Sequence, residues 1–321
     1  MNENNIIVAT VIPCYKVRSH VLELLAEIKS NVDLIYVVDD CCPEYTGRFV
    51  EDNCHDPRIR VIYNHENLGV GGAVIAGYRQ ALADGATIVV KLDGDGQMDP
   101  SILMEFITPI IDGEADYTKG NRFYNLEEIN KMPPMRIFGN AVLSFISKFS
   151  TGYWDVFDPT NGYTAIHIDV IRKLPLNKIS KRYFFETDIL FRLNSIRAVV
   201  VDVPMPAKYG DEVSNLKISS IIGTFMFRHA QNLFKRIFYN YYLRDMSIAS
   251  LELPIGISLV LFGLLYGTYH WIVSANNGNT TPSGVVMLAA LPIMLGVQFI
   301  LAFLAYDIHS VPTKIIHRKN K

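Results

Sequence analysis

Residues 253–273 and 284–306 contain no Asp, Glu, Lys or Arg. Each stretch is long enough to cross a hydrocarbon core of about 30 Å as a helix, so this part of the chain must lie in lipid or be wrapped by protein. The connector between them, 274–283 (SANNGNTTPS), is polar and uncharged, whereas Arg228, Lys235, Arg236 and Arg244 precede the pair and Lys314, Arg318, Lys319 and Lys321 follow it. Basic residues favour the cytosolic side, so both flanks are expected inside and the connector outside an inner or plasma membrane. Residues 218–250 mix apolar and aromatic side chains with basic ones, as in a helix lying in the membrane interface. A soluble amphipathic helix packed on the preceding domain is the alternative. The expected organisation is a cytosolic domain over 1–217, juxtamembrane helices over 218–250 and a two-helix hairpin with a basic tail over 251–321.

Half of the 321 residues are hydrophobic, and the excess sits in that carboxyl-terminal part. The formal net charge is −2 and the pI near 6.4, so the chain carries no overall basic signal for nucleic acid. Cys14, Cys41, Cys42 and Cys54 match no zinc spacing and read as reduced cytosolic thiols. Residues 2–5 are polar and 6–12 form a strand-length apolar run rather than a secretory signal. The amino-terminal domain is therefore expected to stay in the cytosol.

That domain alternates strand and helix patterns. Residues 6–12 (IIVATVI), 34–38 (LIYVV), 59–63 and 86–92 (ATIVVKL) read as strands, with helical spacing over 21–29 and from the glycines at 69, 71 and 72 to Ala83. This order predicts an α/β fold with a doubly wound, mostly parallel sheet. Further helices are expected over 102–111, 135–151 and 183–193, and further strands over 164–168 and 199–203.

Open sheets of this kind place their chemistry beyond the carboxyl ends of the strands. There the fourth strand delivers KLDGDGQMDP, residues 91–100. Asp93 and Asp95, spaced by Gly94, can converge on one hard cation, and the Gln97 carbonyl can add an oxygen. A plain Asp/Gly turn is the competing reading. Asp39 and Asp40, past the second strand, can accept hydrogen bonds from a base or ribose, or cap the next segment. The glycines of 64–72 let a backbone approach an anion closely, although they form neither a dinucleotide fingerprint nor a P-loop.

Arg122 offers a guanidinium for a phosphate, and Arg136 opens the helix expected to border an acceptor channel. Asp158, Thr160 and Asn161 would face a sugar, or simply make a turn. Glu186 and Asp188 stand at a helix start, as caps or as an active-site acid. Residues 204–217 read as a polar, lid-like stretch.

Six segments together resemble a known family: VIPCYKV at 11–17, VVDD at 37–40, ENLGVGGAVIAGY at 66–78, KLDGDGQMDP at 91–100, GNR at 120–122 and DPTNGY at 158–163. In this order they resemble the family-two glycosyltransferases, and more closely the polyprenyl-phosphate glycosyltransferases of the dolichyl-phosphate mannose synthase and GtrB-like group. The resemblance implies a GT-A fold (Rossmann-like, mostly parallel sheet), a nucleoside-diphosphate sugar donor, Mg2+ or Mn2+, and inversion at the anomeric carbon. It assigns Pro13, Tyr15 and Asp40, with Asp39 as neighbour, to the base and ribose. Val17, Val38, Gly71 and Gly94 belong to the same donor-side motifs. Asp93, Asp95 and Gln97 correspond to the metal and diphosphate segment, and Arg122 and Arg136 to basic positions near the donor and acceptor phosphates. Relatives often carry an Arg before a G-x-S-K-L segment. This chain instead has Gly210, Asp211 and Glu212 before Ser214, with Lys208 and Lys217 as the nearby cations. The Q-x-x-R-W motif of processive polysaccharide synthases is absent.

The expected reaction is transfer of one sugar to a polyprenyl phosphate at the cytosolic membrane face. Asp93, Asp95, Asp158, Arg122 and Arg136 are the candidate catalytic residues. A lipid phosphate is already anionic and needs no strong base; a hydroxyl on a lipid-linked sugar, the nearest enzymatic alternative, would need one. A noncatalytic membrane scaffold is the alternative of a different class, and a homo-oligomer stays open.

Overall fold

The computed structural model describes residues 6–124, 129, 134–206 and 218–318, with the side chains of 136 and 218–221 outside that description. The expectations placed on the Arg136 side chain, on Lys208 and on residues 209–217 therefore fall outside the described residues. Two compact units form: Met1–Leu233 with Pro312–Lys321, and Phe234–Val311.

The first unit is built on β1 (Val8–Cys14), α1 (Val21–Glu27), β2 (Leu34–Asp39), α2 (Thr46–Asn53), β3 (Ile59–Tyr63), α3 (Val70–Ala83) and β4 (Ile88–Lys91). These are followed by α4 (Leu103–Ile111), β5 (Tyr117–Asn121), α5 (Pro134–Thr151), β6 (Thr164–His167), α6 (Ile168–Lys173), α7 (Phe185–Ser195) and β7 (Val200–Pro204). The seven strands run in the order β3-β2-β1-β4-β6-β5-β7. β1 through β4 are mutually parallel, as expected of apolar strands buried on both faces. β6 alone runs against its neighbours β4 and β5.

That reversal positions the site. Lys91 at the carboxyl end of β4 pairs with Thr164 at the amino end of β6, so the loop leaving β4 and the DPTNGY segment entering β6 emerge at one edge of the sheet. Ile12, Ile35, Val37, Val90, Phe106 and Ala165 are fully buried in the core beneath.

The helix α8 (Ile218–Phe238) follows, then a π-helical turn over Tyr239–Arg244, α9 (Ala249–Asn276) and α10 (Ser283–His309). The last two are long and apolar enough to cross a membrane, and they carry exposed Leu261, Leu265, Trp271, Leu288, Met294 and Leu301, unlike core helices of a soluble protein. Their backbones approach closely where side chains are small: a Cβ on Gly256 would stand 2.9 Å from the Gly296 carbonyl, and one on Gly296 2.7 Å from that of Gly256. Within this unit Arg236 pairs with Asp307 through two hydrogen bonds, 2.6 and 2.9 Å, both side chains being almost wholly buried.

Candidate active site

β4 ends in a lysine. In a strand reading IVVK, the ammonium of Lys91 is buried, and a charge there persists only if it is paired. Its Nζ donates to Asp93 Oδ1 at 2.7 Å and to the Gly162 carbonyl at 3.1 Å, and lies 3.5 Å from Glu186 Oε1. Burial disfavours the ammonium, but Asp93 and Glu186 together outweigh it and hold the Lys91 pKa above its ordinary value. Burial likewise raises the Glu186 carboxyl, against the attraction of Lys91. A Cβ at position 162 would press on Asp93 Oδ2 and Lys91 Nζ, so a larger residue there would have to shift this pair.

The next residues turn into a cavity. A Cβ on Gly94 would come within 3.0 Å of Val17 and 3.2 Å of the Pro13 carbonyl, which brings the loops after β1 and β4 together. Asp95 Oδ1 accepts from the Gln97 backbone N–H at 3.0 Å. A cavity of about 660 Å3 opens here. Pro13, Tyr15, Val17, Asp40, Asp93, Gly94 and Asp95 are among the residues that line it. Asp40 fixes its rim by accepting from Asn64 Nδ2 at 2.7 Å and from the backbone N–H groups of Leu68 and Gly69 at 3.0 and 2.7 Å.

A second cavity, about 720 Å3, is lined chiefly by apolar residues of α5 and α8, among them Val142, Leu143, Ile146 and Phe225, together with Thr160 and Glu186. Val70, Asp93 and Tyr183 line both cavities. A chamber of mixed polarity and a mostly apolar one thus meet at Asp93.

The remaining residues singled out in the sequence lie elsewhere. Val38 is buried inside β2. Asp39 spends its carboxylate on the backbone N–H groups of Cys42 and Gly47, at 2.7 Å each, and so anchors α2. Gly71 sits in the first turn of α3, where a Cβ would meet the Ser180 carbonyl at 2.5 Å. Gln97 does not line the first cavity. Arg122 faces Asp158 in a forked pair, Nε–Oδ2 2.8 Å and Nη2–Oδ1 3.0 Å, with Asp158 buried. Asp188 accepts from Ser180 N, Arg192 Nε and Asn232 Nδ2 at 2.8–3.1 Å, the pattern of a structural anchor.

Sequence reasoning passed over Lys91, whose only signal is a charge at the end of an apolar run. It also passed over Lys119, buried in β5, whose Nζ donates to the Asn161 carbonyl and whose pKa burial pushes down to about 8. Lys16, Arg182 and Tyr183, which line the first cavity, carried no local signal.

The carboxylates of Asp93 and Asp95 on this cavity are hard oxygen donors, and no cluster of three or more His, Cys, Asp or Glu suited to a metal occurs among the described residues. This donor set fits an oxygen-seeking divalent cation that takes its other ligands from a diphosphate and water, and not a site closed by protein alone.

The family model described as "Glycosyl transferase family 2" matches residues 10–175. Among curated relatives, the UDP-N-acetylglucosamine–dolichyl-phosphate N-acetylglucosaminyltransferase of Methanococcus voltae is 28% identical over 213 residues, covering 62% of this chain and 84% of that protein. The undecaprenyl-phosphate mannosyltransferase of Micrococcus luteus is 30% identical over 202 residues, covering 62% and 82%. Glucosyl-3-phosphoglycerate synthase of Mycobacterium tuberculosis, solved with Mn2+, uridine diphosphate and glucosyl-3-phosphoglycerate, superimposes with a TM-score of 0.53 over 72% of this chain and 80% of that one. At 16% identity this likeness establishes the shared fold.

Proposed function

The chain belongs to glycosyl transferase family 2, and on that premise we propose that it moves a single sugar, with inversion, from a nucleoside-diphosphate sugar to a polyprenyl phosphate at the cytosolic face of a membrane. The observation that carries this reading is the junction at Asp93 of a cavity lined by charged and polar as well as apolar residues with a mostly apolar one. The first suits a nucleotide diphosphate, the second the chain of a lipid. Two relatives whose names specify dolichyl- and undecaprenyl-phosphate acceptors support it, as do two helices in the same polypeptide that are apolar enough to span a bilayer.

In this reading Pro13, Tyr15 and Val17 receive the base, and the loop fixed by Asp40 receives the ribose. Lys16 and Arg182 supply positive charge for the diphosphate. Asp93 and Asp95 hold Mg2+ or Mn2+, which when bound neutralises charge gathering on the departing diphosphate. Lys91 fixes Asp93 in place and screens it from Glu186. The acceptor oxygen attacks the anomeric carbon from the face opposite the leaving group; the carbon–oxygen bond to the diphosphate breaks with its electron pair. The domain of 1–217 does this work together with α8 of the juxtamembrane segment 218–250, which walls the apolar cavity, with 251–321 as the anchor and both termini cytosolic.

The test is transfer of radiolabelled sugar from a panel of nucleotide sugars to undecaprenyl phosphate by the full chain in nanodiscs, with Mg2+ or Mn2+. A lipid-linked product that depends on the divalent ion is expected. No lipid product with any common nucleotide sugar would overturn the reading, and product formed only on a lipid-linked sugar hydroxyl would replace it.

A further inference from the structure

Glu186 stands in the first turn of α7 and lines the second cavity, with 15% of its side chain exposed. Its carboxylate meets the Lys91 ammonium, Oε1–Nζ 3.5 Å, and its own backbone N–H. Among the described residues no other group donates to it. An ionised carboxylate offers about four lone-pair positions, and neither oxygen of Glu186 is among the polar atoms sealed in the interior without a partner. The group therefore keeps acceptor positions open to the cavity it lines.

What can fill them follows from its neighbours. Asp93, which lines both cavities, is joined to Glu186 through a single ammonium, because Lys91 Nζ also donates to Asp93 Oδ1 at 2.7 Å. A sugar carried on a diphosphate at Asp93 and Asp95 thus lies within reach of Glu186. The lipid phosphate approaches the same junction, but a carboxylate repels an anion. The donors that remain are the hydroxyl groups of the sugar. In a mostly apolar pocket a few such polar groups fix orientation and selectivity.

We propose that the Glu186 carboxylate accepts a hydrogen bond from a hydroxyl of the transferred sugar and so selects the donor. The inference rests on the transfer reading above and adds to it the group that reads the sugar. A site built to accept from a hydroxyl discriminates against a sugar that lacks it, because the buried oxygen is then left unmet. Glu186 takes up no proton in this role, in keeping with an acceptor phosphate that is already ionised.

The first test reads binding. The full chain in nanodiscs, with Mg2+, is titrated calorimetrically with UDP-glucose, UDP-N-acetylglucosamine and GDP-mannose, and with UDP and GDP. For the nucleotide sugar that wild type binds best, Glu186→Leu should weaken binding at least about tenfold, the loss of a hydrogen bond to a charged group. Affinity for the matching nucleoside diphosphate should stay within twofold. Glu186→Gln, whose amide oxygen accepts the same hydrogen, should recover part of the loss. Equal weakening of the diphosphate and its sugar would mark a structural role and overturn the proposal, as would no weakening of either.

The second test locates the hydroxyl. Analogues of that nucleotide sugar, each with one hydroxyl replaced by fluorine, lack one donor at a time. At one position the change should cost wild type at least about tenfold in affinity and Glu186→Leu less than twofold, by the same hydrogen-bond scale. The absence of any such position would refute the contact. Wild-type protein that binds none of the nucleotide sugars sinks the transfer reading and this inference with it. Binding without discrimination that depends on Glu186 sinks this inference alone, and such discrimination without a lipid product sinks the acceptor half of the transfer reading and leaves the contact standing.

Discussion

Asp116 and His317 stand 201 residues apart in sequence and meet through Oδ1 and Nδ1 at 2.8 Å. Asp116 is fully buried and also accepts from the backbone N–H groups of Val199 at 2.9 Å and Ile316 at 2.9 Å. His317 reaches the Ile110 carbonyl with Nε2 at 3.1 Å and stacks on His167 with ring centroids 4.1 Å apart. Burial alone would raise the Asp116 carboxyl, but these donors hold it below the usual carboxylate value. The segment that follows α10 is thus stitched to the start of β5.

Replacing His317 with Ala should therefore loosen the sheet unit, with a stability loss of about 1–3 kcal/mol, because a buried carboxylate loses a charge-assisted donor. Hydrogen exchange at Tyr117 and Thr118 in the full chain is the measurement, and faster exchange there is the expected outcome. Unchanged protection would mean that the tail contributes nothing to holding β5.

Lys91→Met should be worse than a surface change of the same kind. It removes the cation between Asp93 and Glu186 and leaves two carboxylates facing each other, a loss of about 3–5 kcal/mol. Adding Glu186→Gln should return part of it. Thermal midpoints in detergent for the single and double variants decide the matter; equal midpoints would show that the lysine is not what keeps the two acids together.

Asp95→Asn should lower sugar transfer at least about 100-fold, the scale of losing a charged group aimed at the leaving diphosphate, with the thermal midpoint within a degree or two of wild type. Full activity in this variant, with the same response to Mg2+ or Mn2+, would remove Asp95 from the proposed cation site.

Acid should weaken the sheet unit well above the pH at which carboxylates titrate. Burial lowers His167 and His229 from 6.5 to about 4, and His167 Nδ1 must stay unprotonated to accept from Asp169 N at the start of α6. A lowered histidine means that the unfolded chain takes up protons first, so this stability is complete above pH 6.5 and is lost as pH falls toward 4, on the order of 3 kcal/mol per ring. Asp202 acts in the opposite sense: burial raises it to about 6, and it returns a comparable amount between pH 6 and 3.8. The expected sum is a fall of on the order of 3 kcal/mol from pH 7 to pH 4. His167→Asn, which keeps a capping acceptor but does not titrate, should flatten the profile of thermal midpoint against pH.

How much of this could be read from residues alone depends on whether the signal was local. The uncharged runs behind α9 and α10 and the apolar run behind β4 are local, and both appear where expected, within a few residues. The helix α2 was not anticipated. Its sequence TGRFVEDN is polar, it starts after Tyr45 in the left-handed region at φ 53°, and Asp39 from the preceding strand holds its beginning. Nor does a four-residue strand such as β6 announce its direction. Its antiparallel pairing is what brings Gly162 beside Asp93, and that proximity exists only in the folded sheet. His229 reads in sequence as one more polar residue on an interfacial helix. Only the packing of Phe184 and Ser150 around it makes it a buried ring.

The pairing of Lys91 with Thr164 carries one more implication. Side chains alternate across a strand, so a slip of one residue between β4 and β6 would turn the ammonium away from Glu186 and the Gly162 carbonyl and seat Val90 in its place. Such a misalignment would leave the mostly buried Glu186 without its cation. The lysine therefore acts as an alignment key: the sheet can close in comfort in only one setting, and that setting is the one in which the two chambers share a wall.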